Sequence, residues 1–177
     1  HDRTIRHFVF HDDNFLIPSE KQNIERLLEI GQEMKNRGVS DIGLTIKCCP
    51  RDVTEKVFAL LRKLGLIRVF LGVESSENVV LESLDRQQTM ADADAAIRIC
   101  TSLGISVQFN IMVLNPVTTF ASLRSDIAFL RSHISFPWNI CKTEIFAGTP
   151  LELEMRNAGR ARGNYLGRSY SFATNSL

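Results

Sequence analysis

An apolar run, an abrupt polar cluster, an amphipathic helix and a resetting glycine recur five times along this chain. The polar clusters are His11-Asp12-Asp13-Asn14, Lys47-Cys48-Cys49-Pro50, Glu74-Ser75-Ser76, Asn115-Pro116 and Ala147-Gly148-Thr149-Pro150. Each stands where a strand hands over to a helix. In parallel α/β sheets and barrels such handovers share one rim, and that rim carries the chemistry. Every crossover is long enough for parallel pairing with a right-handed connection. The pattern predicts an α/β fold, either an open doubly wound sheet or part of a (β/α) barrel. Five parallel strands do not close a barrel and leave edges for another segment to cover, so a missing unit is expected.

The remaining bulk properties exclude more than they select. A chain of 177 residues, 44% hydrophobic and 23% charged, is an ordinary globular domain. No apolar stretch approaches the roughly 20 residues of a membrane helix. A formal charge of +1 gives no reason to expect a nucleic-acid or other polyanion partner. Arg156, Arg160, Arg162 and Arg168 crowd the last segment. They read as a solvated or domain-contacting tail, with phosphate or nucleic-acid contact as the alternative. The cysteines at 48, 49, 100 and 141 have neither zinc nor disulfide-framework spacing, which fits a reducing, cytoplasmic setting. The chain begins with His1 rather than Met and reads as processed or partial. Ser–His–Asp order, G-x-G-x-x-G and G-x-x-x-x-G-K-[ST] are all lacking, so hydrolase, dinucleotide-fold and P-loop readings have no anchor.

Local signals place the elements. Strands are predicted over residues 5–10, 42–46, 67–71, 105–114 and 139–146, the third ending at Gly72-Val73-Glu74-Ser75. Ser19 with Gln22, Asp52 with Glu55, and Thr89 with Asp92 have capping-box spacing. Val57, Leu60, Leu61 and Leu64 make one helical stripe, Ala93, Ala96, Ile97 and Cys100 another, and Leu123, Ile127 and Leu130 a third. A short helix is expected over 78–84 and a last one over 151–157. Residues 1–158 form the main body, and 159–177, lacking periodicity, an irregular C-terminal extension of the same domain.

Glu74 is the most informative residue. A charge ending a buried strand persists only if solvated, paired or ligand-bound. Arg86, twelve residues on, returns to the same rim. The two form either a structural ion pair or a clasp on one polar ligand, the guanidinium taking a carboxylate and the carboxylate taking hydroxyl donors. Asn110 sits mid-strand and needs partners, from a neighbouring strand or from a ligand. Asp12-Asp13-Asn14 is a turn or capping cluster, or an acceptor site. Further acidic residues do not recur at a spacing that would complete a divalent-metal site. Gly148 allows close backbone approach to a flat ligand, and Thr149-Pro150 is equally a plain helix start.

At this point the motifs resemble a family. Leu71-Gly72-Val73-Glu74-Ser75, then Val80-Leu81-Glu82 and Arg86, resembles the fourth strand and following helix of the radical S-adenosylmethionine enzymes. Phe8-Val9-Phe10-His11-Asp12-Asp13-Asn14-Phe15 is similar to their second-strand segment, in the version found in members that also carry a cobalamin-binding domain. Phe146-Ala147-Gly148-Thr149-Pro150-Leu151 resembles the sixth-strand turn of that group, and Gly159-Arg160-Ala161-Arg162-Gly163-Asn164-Tyr165 the stretch after it. The resemblance implies a partial (β/α) TIM-type barrel, about five parallel βα units of a six-unit core.

It also implies roles. Asp12, Asp13 and Asn14 stand where the family holds the methionyl amino group of S-adenosylmethionine. Glu74 and Ser75 stand where it contacts the ribose or methionyl part, and Arg86 where some members grip the methionyl carboxylate. Asn110 matches a residue bonding the ribose hydroxyls, Met112 an apolar adenine contact, and Phe146 and Ala147 backbone that reads the adenine edge. Lys47, Cys48 and Cys49 would face a small-molecule or peptide substrate. In the intact family a reduced [4Fe–4S] cluster cleaves the cofactor to a 5′-deoxyadenosyl radical, and cobalamin assists methyl transfer in one group. The cluster needs C-x-x-x-C-x-x-C, a spacing this sequence lacks. The resemblance therefore implies a fragment, inactive alone, whose missing N-terminal portion or a partner chain supplies the cluster. Two alternatives stay open: a non-catalytic, partner-binding remnant of the same fold, and an unrelated (β/α) enzyme acting on a phosphorylated metabolite.

Overall fold

A computed structural model describes residues 5–164 and 167–172. His1 and Tyr165, singled out above, lie outside the described residues. Two compact units are present: His1–Val73 with Gln88–Phe109, and Glu74–Gln87 with Asn110–Leu177. Strands β1 (His7–Val9), β2 (Gly43–Cys48), β3 (Leu66–Glu74), β4 (Ser106–Leu114) and β5 (Trp138–Lys142) form one sheet in sequential order. β1 pairs parallel with β2 from His7–Gly43 to Val9–Thr45, and β2 pairs parallel with β3.

In the first unit, the two-residue period of the strands sorts side chains by face. β2 buries Leu44, Ile46 and Cys48, β3 buries Val69, Leu71 and Val73, and the first half of β4 buries Val107 and Phe109. Each fully buried aliphatic side chain contributes about 1.5–3 kcal/mol. Against them stand the buried stripes of α2 (Glu55–Lys63), with Val57, Phe58 and Leu61, and of α4 (Met90–Ser102), with Ala93, Ala96, Ile97 and Cys100. The Thr89–Asp92 box is complete, each residue bonding the other's backbone N–H. Ser19 caps α1 (Glu20–Asn36) by accepting from the Gln22 N–H. Gly65 turns α2 into β3 at φ +103°, where a Cβ would lie 2.3 Å from the Ile42 carbonyl oxygen. Only glycine fits there.

Two expectations change in this unit. Asp52 does not cap α2. It closes a 3₁₀ turn over Pro50–Asp52, and Thr54 caps the helix by accepting from the Val57 N–H. Both residues are good cap types, and Thr54 is the one in extended backbone next to the helix. β1 is shorter than the predicted run and exposed throughout, with Phe8 and Val9 at 41% and 48%.

The second unit holds α3 (Asn78–Ser83), α5 (Phe120–Ser132), α6 (Pro150–Asn157) and two further strands. α5 is rotated from its expected face: Ser122, Asp126 and Leu130 are buried while Ile127 is 41% exposed. The carboxylate of Asp126 explains the rotation, as described below. From Gly159 onward, irregular chain was the expectation. The structure instead has a hairpin of β6 (Ala161–Asn164) and β7 (Gly167–Tyr170), antiparallel. Its polar strands carry too little apolar alternation to announce themselves. Gly163, at φ +91°, passes the Gly167 carbonyl oxygen where a Cβ would come within 2.3 Å.

The arginine-rich segment is built into this unit. Arg160 donates to the carbonyls of Pro116 and Ser171, and the Tyr170 hydroxyl donates to the Leu114 carbonyl at 2.9 Å. Arg168 and Arg156 pair with Glu152, which also accepts from the Gly148 N–H at 2.7 Å. Tyr170 packs with Ile145 and Met155 in a small core of its own. Of the four arginines, Arg156 and Arg162 remain exposed, while Arg160 and Arg168 are held in the fold.

Candidate functional site

Glu74, Arg86 and Asn110 meet in the second unit. The Asn110 side-chain amide donates to Glu74 Oε2 at 2.8 Å, and Arg86 lies 3.4 Å from Glu74 Oε1. The Glu74 side chain is 10% exposed and that of Arg86 49%. An ion pair with one partner this open contributes at most about 1 kcal/mol, so it does not by itself account for a charge buried at a strand end. Two further features point to a ligand. Asn110 Oδ1 is buried and accepts no hydrogen bond, an expensive state for an amide oxygen. Glu74 has φ +70°, in the left-handed region, a strain of about 1–2 kcal/mol for a residue with a Cβ. Cys141 borders the same group, its sulfur 3.9 Å from the Asn110 amide nitrogen. Burial, opposed by that contact and helped by the Glu74 charge, raises the Cys141 thiol pKa.

Ser75 is turned into the protein. It is fully buried, and its hydroxyl donates to Asp126 Oδ1 at 3.2 Å while accepting from the Glu77 N–H. Asp126 also takes the Ser76 N–H and hydroxyl, both at 2.8 Å. The sequence reading missed Asp126, which looks like any polar residue on a helix. Gln88 was missed too. In the first unit its amide nitrogen donates to the Gly72 and Val73 carbonyls at 2.7 and 3.0 Å, and its oxygen accepts from the Cys49 thiol.

The remaining candidates divide by unit. In the first, Asp12 and Asp13 are exposed, their carboxylates open to solvent. Asn14 is engaged internally: its amide donates to Asp52 at 2.8 Å, and its oxygen accepts from the backbone N–H of Cys49 and of Leu16. It ties two loops together. Cys48 is turned inward. It is 3% exposed on the face of β2 that buries Leu44 and Ile46, and desolvation, reinforced by Cys100, Cys49 and Asp52, raises its thiol pKa well above the ordinary value. Lys47 takes the opposite face because side chains alternate along a strand. In the second unit, the Met112 sulfur accepts from the Thr143 hydroxyl at 3.3 Å. Phe146 and Ala147 line a cavity of about 330 Å³ with Lys142, Glu144 and Arg168. The Phe146 carbonyl already accepts from the Thr149 hydroxyl at 2.7 Å. Arg86 lines a second cavity of about 310 Å³, bounded by Asp85, Thr149, Pro150 and Glu154.

The sequence matches the radical SAM superfamily over residues 1–129, and the chain belongs to that superfamily. It is 30% identical over 93 residues to a tRNA uridine(34) acetyltransferase of Methanocaldococcus infernus, across 52% of this chain and 17% of that protein. Among solved structures it is similar to OxsB, a cobalamin-dependent S-adenosylmethionine radical enzyme with aqua-cobalamin and S-adenosylmethionine bound. The TM-score is 0.77 at 16% identity, over 97% of this chain and 32% of that one. It is also similar to the methyltransferase TsrM from Kitasatospora setae with tryptophan and an S-adenosylmethionine analogue bound. There the TM-score is 0.72 at 16% identity, over 85% of this chain and 29% of that one. The chain thus spans a third or less of each of these proteins. The shared fold is a partial (β/α) TIM-type barrel.

The residues present fit one of the family's groups and not another. An unpartnered amide oxygen, a fixed carboxylate and an open guanidinium suit the hydroxyls and charged end of S-adenosylmethionine. A [4Fe–4S] cluster finds no such set. Among the described residues no three His, Cys, Asp or Glu side chains gather to hold a metal, and Cys48 and Cys100 are buried. No described helix is long and apolar enough to cross a membrane.

Proposed function

We propose that this chain is the S-adenosylmethionine-binding part of a radical SAM enzyme. When bound, the cofactor supplies radical or methyl-transfer chemistry, and the protein's work is to hold it and keep water out. Asn110 Oδ1 accepts from a ribose hydroxyl, and Glu74 takes further hydroxyl or ammonium donors while keeping its bond to the Asn110 amide. Arg86 turns its open guanidinium to a carboxylate. Met112 offers an apolar contact for a purine, and Phe146 and Ala147 offer backbone edges. In the first unit, the open carboxylates of Asp12 and Asp13 are suited to ammonium donors.

The observation that carries this reading is the buried, unpartnered Asn110 oxygen beside a carboxylate held in strained backbone. Cluster ligands would come from outside these 177 residues, so this chain alone binds the cofactor without cleaving it. Cobalamin participation and a small-molecule or peptide substrate belong to the same proposal, and the setting proposed is the cytoplasm. Calorimetric titration of the full-length protein with S-adenosylmethionine tests it. Saturable binding that Asn110→Leu weakens by about tenfold or more is expected. Wild-type protein that ignores the cofactor and binds phosphate esters instead would overturn the reading.

A further inference from the structure

We infer that Asp126 is a positioning residue that holds the Glu74-Ser75-Ser76 turn in the one conformation presenting the Glu74 carboxylate to Asn110. The consequence for binding rests on the cofactor reading above, but the geometry does not.

A single oxygen, Asp126 Oδ1, accepts from the Ser75 hydroxyl at 3.2 Å, the Ser76 N–H at 2.8 Å and the Ser76 hydroxyl at 2.8 Å. All three donors belong to the two residues that follow Glu74. Glu74 itself sits at φ +70°, a conformation a residue with a Cβ leaves unless its surroundings over-determine it. The bonds to Asp126 supply that determination, because displacing the turn would strand a carboxylate that is 1% exposed. α5 shows the same priority. Its rotation buries Asp126 and leaves Ile127, one residue on, 41% exposed, against the ordinary preference for apolar burial. The three bonds of Asp126 Oδ1 all go to protein donors. It acts through the turn.

The test is a pair of crystal structures of the full-length protein carrying Asp126→Ala or Ser76→Ala, with cofactor titrations on the same variants. In Asp126→Ala, Glu74 is expected to leave the left-handed region and its carboxylate to move beyond 3.5 Å from the Asn110 amide. Affinity for S-adenosylmethionine should fall about tenfold or more. Ser76→Ala, which removes one donor of three, should cost two- to threefold and serves if Asp126→Ala does not fold. In a Glu74→Ala background either substitution should cost no further affinity, whereas a merely stabilising residue would leave folded-state affinity unchanged in every background. Glu74 keeping its φ and its bond to Asn110 in the variants would overturn the inference. If wild-type protein fails to bind the cofactor, the function above is wrong, and the Glu74 geometry still decides the role of Asp126.

Discussion

The loop after β1 and the turn after β3 look alike as sequence, each a short polar cluster rich in carboxylates and hydrogen-bonding side chains. Folded, they use those groups in opposite ways. In the first, the internal bonds go to Asn14, which links to Asp52 and Cys49, and Asp12 and Asp13 remain open to water. In the second, the carboxylate is the fixed group: Glu74 is bonded to Asn110, faces Arg86, and is carried on a turn anchored by Asp126. A preset carboxylate pays its ordering cost at folding rather than at binding, so it should matter more per residue than a free one.

Four measurements probe that contrast. The largest effect is expected for Glu74→Ala, which should weaken S-adenosylmethionine binding by roughly 100-fold through loss of charge-assisted bonds. Asp13→Asn should cost less than about tenfold, as befits an exposed charge. Comparable losses in calorimetry would erase the distinction. Next, Asn14→Ala should lower stability by about 1–2 kcal/mol, seen as a reduced melting temperature, with little change in folded-state affinity. A binding loss without a stability loss would make Asn14 a ligand group rather than a tie. Third, Glu74→Gly should be about 1 kcal/mol more stable than Glu74→Ala, since both lack the carboxylate and only alanine is strained at φ +70°. Equal melting temperatures would remove strain from the account.

The smallest effect at neutral pH concerns thiols near the first loop. Burial raises the pKa of Cys100 from 9.0 to about 12 and that of Cys48 in the same direction. Below pH 9 these thiols are neutral in folded and unfolded chains, and their full contribution is present. Above it the unfolded chain ionises first, so stability should fall as pH rises toward 12. Thermal melts between pH 8 and 11 check the sign, and Cys100→Ala should flatten the slope.

What the sequence disclosed follows the same physics. Glu74 and Asn110 were legible because a polar residue on a buried strand is an anomaly that demands a partner, and Arg86 because it follows α3, twelve residues after Glu74, as a cation able to pair with it. The burial of Cys48 was hard to read because adjacent residues of a strand take opposite faces, and the polar cluster around it hides the alternation. Asp126 was invisible: hydrophobic spacing on α5 named Ile127, and only a hydrogen-bond inventory reveals why the helix turned the other way. The Asp52 cap failed because two capping residues lay two positions apart and spacing does not rank them.

The hairpin has a practical corollary for anyone trimming this protein for expression. Arg160 and Tyr170 peg its strands to the carbonyls at the exit of β4, through Pro116 and Leu114. A chain cut at residue 158, where periodicity fades, would lose both pegs along with the Arg168 partner of Glu152. The stump would expose Ile145 and Met155 to water and should precipitate, whereas a clone running past Phe172 keeps that seam closed.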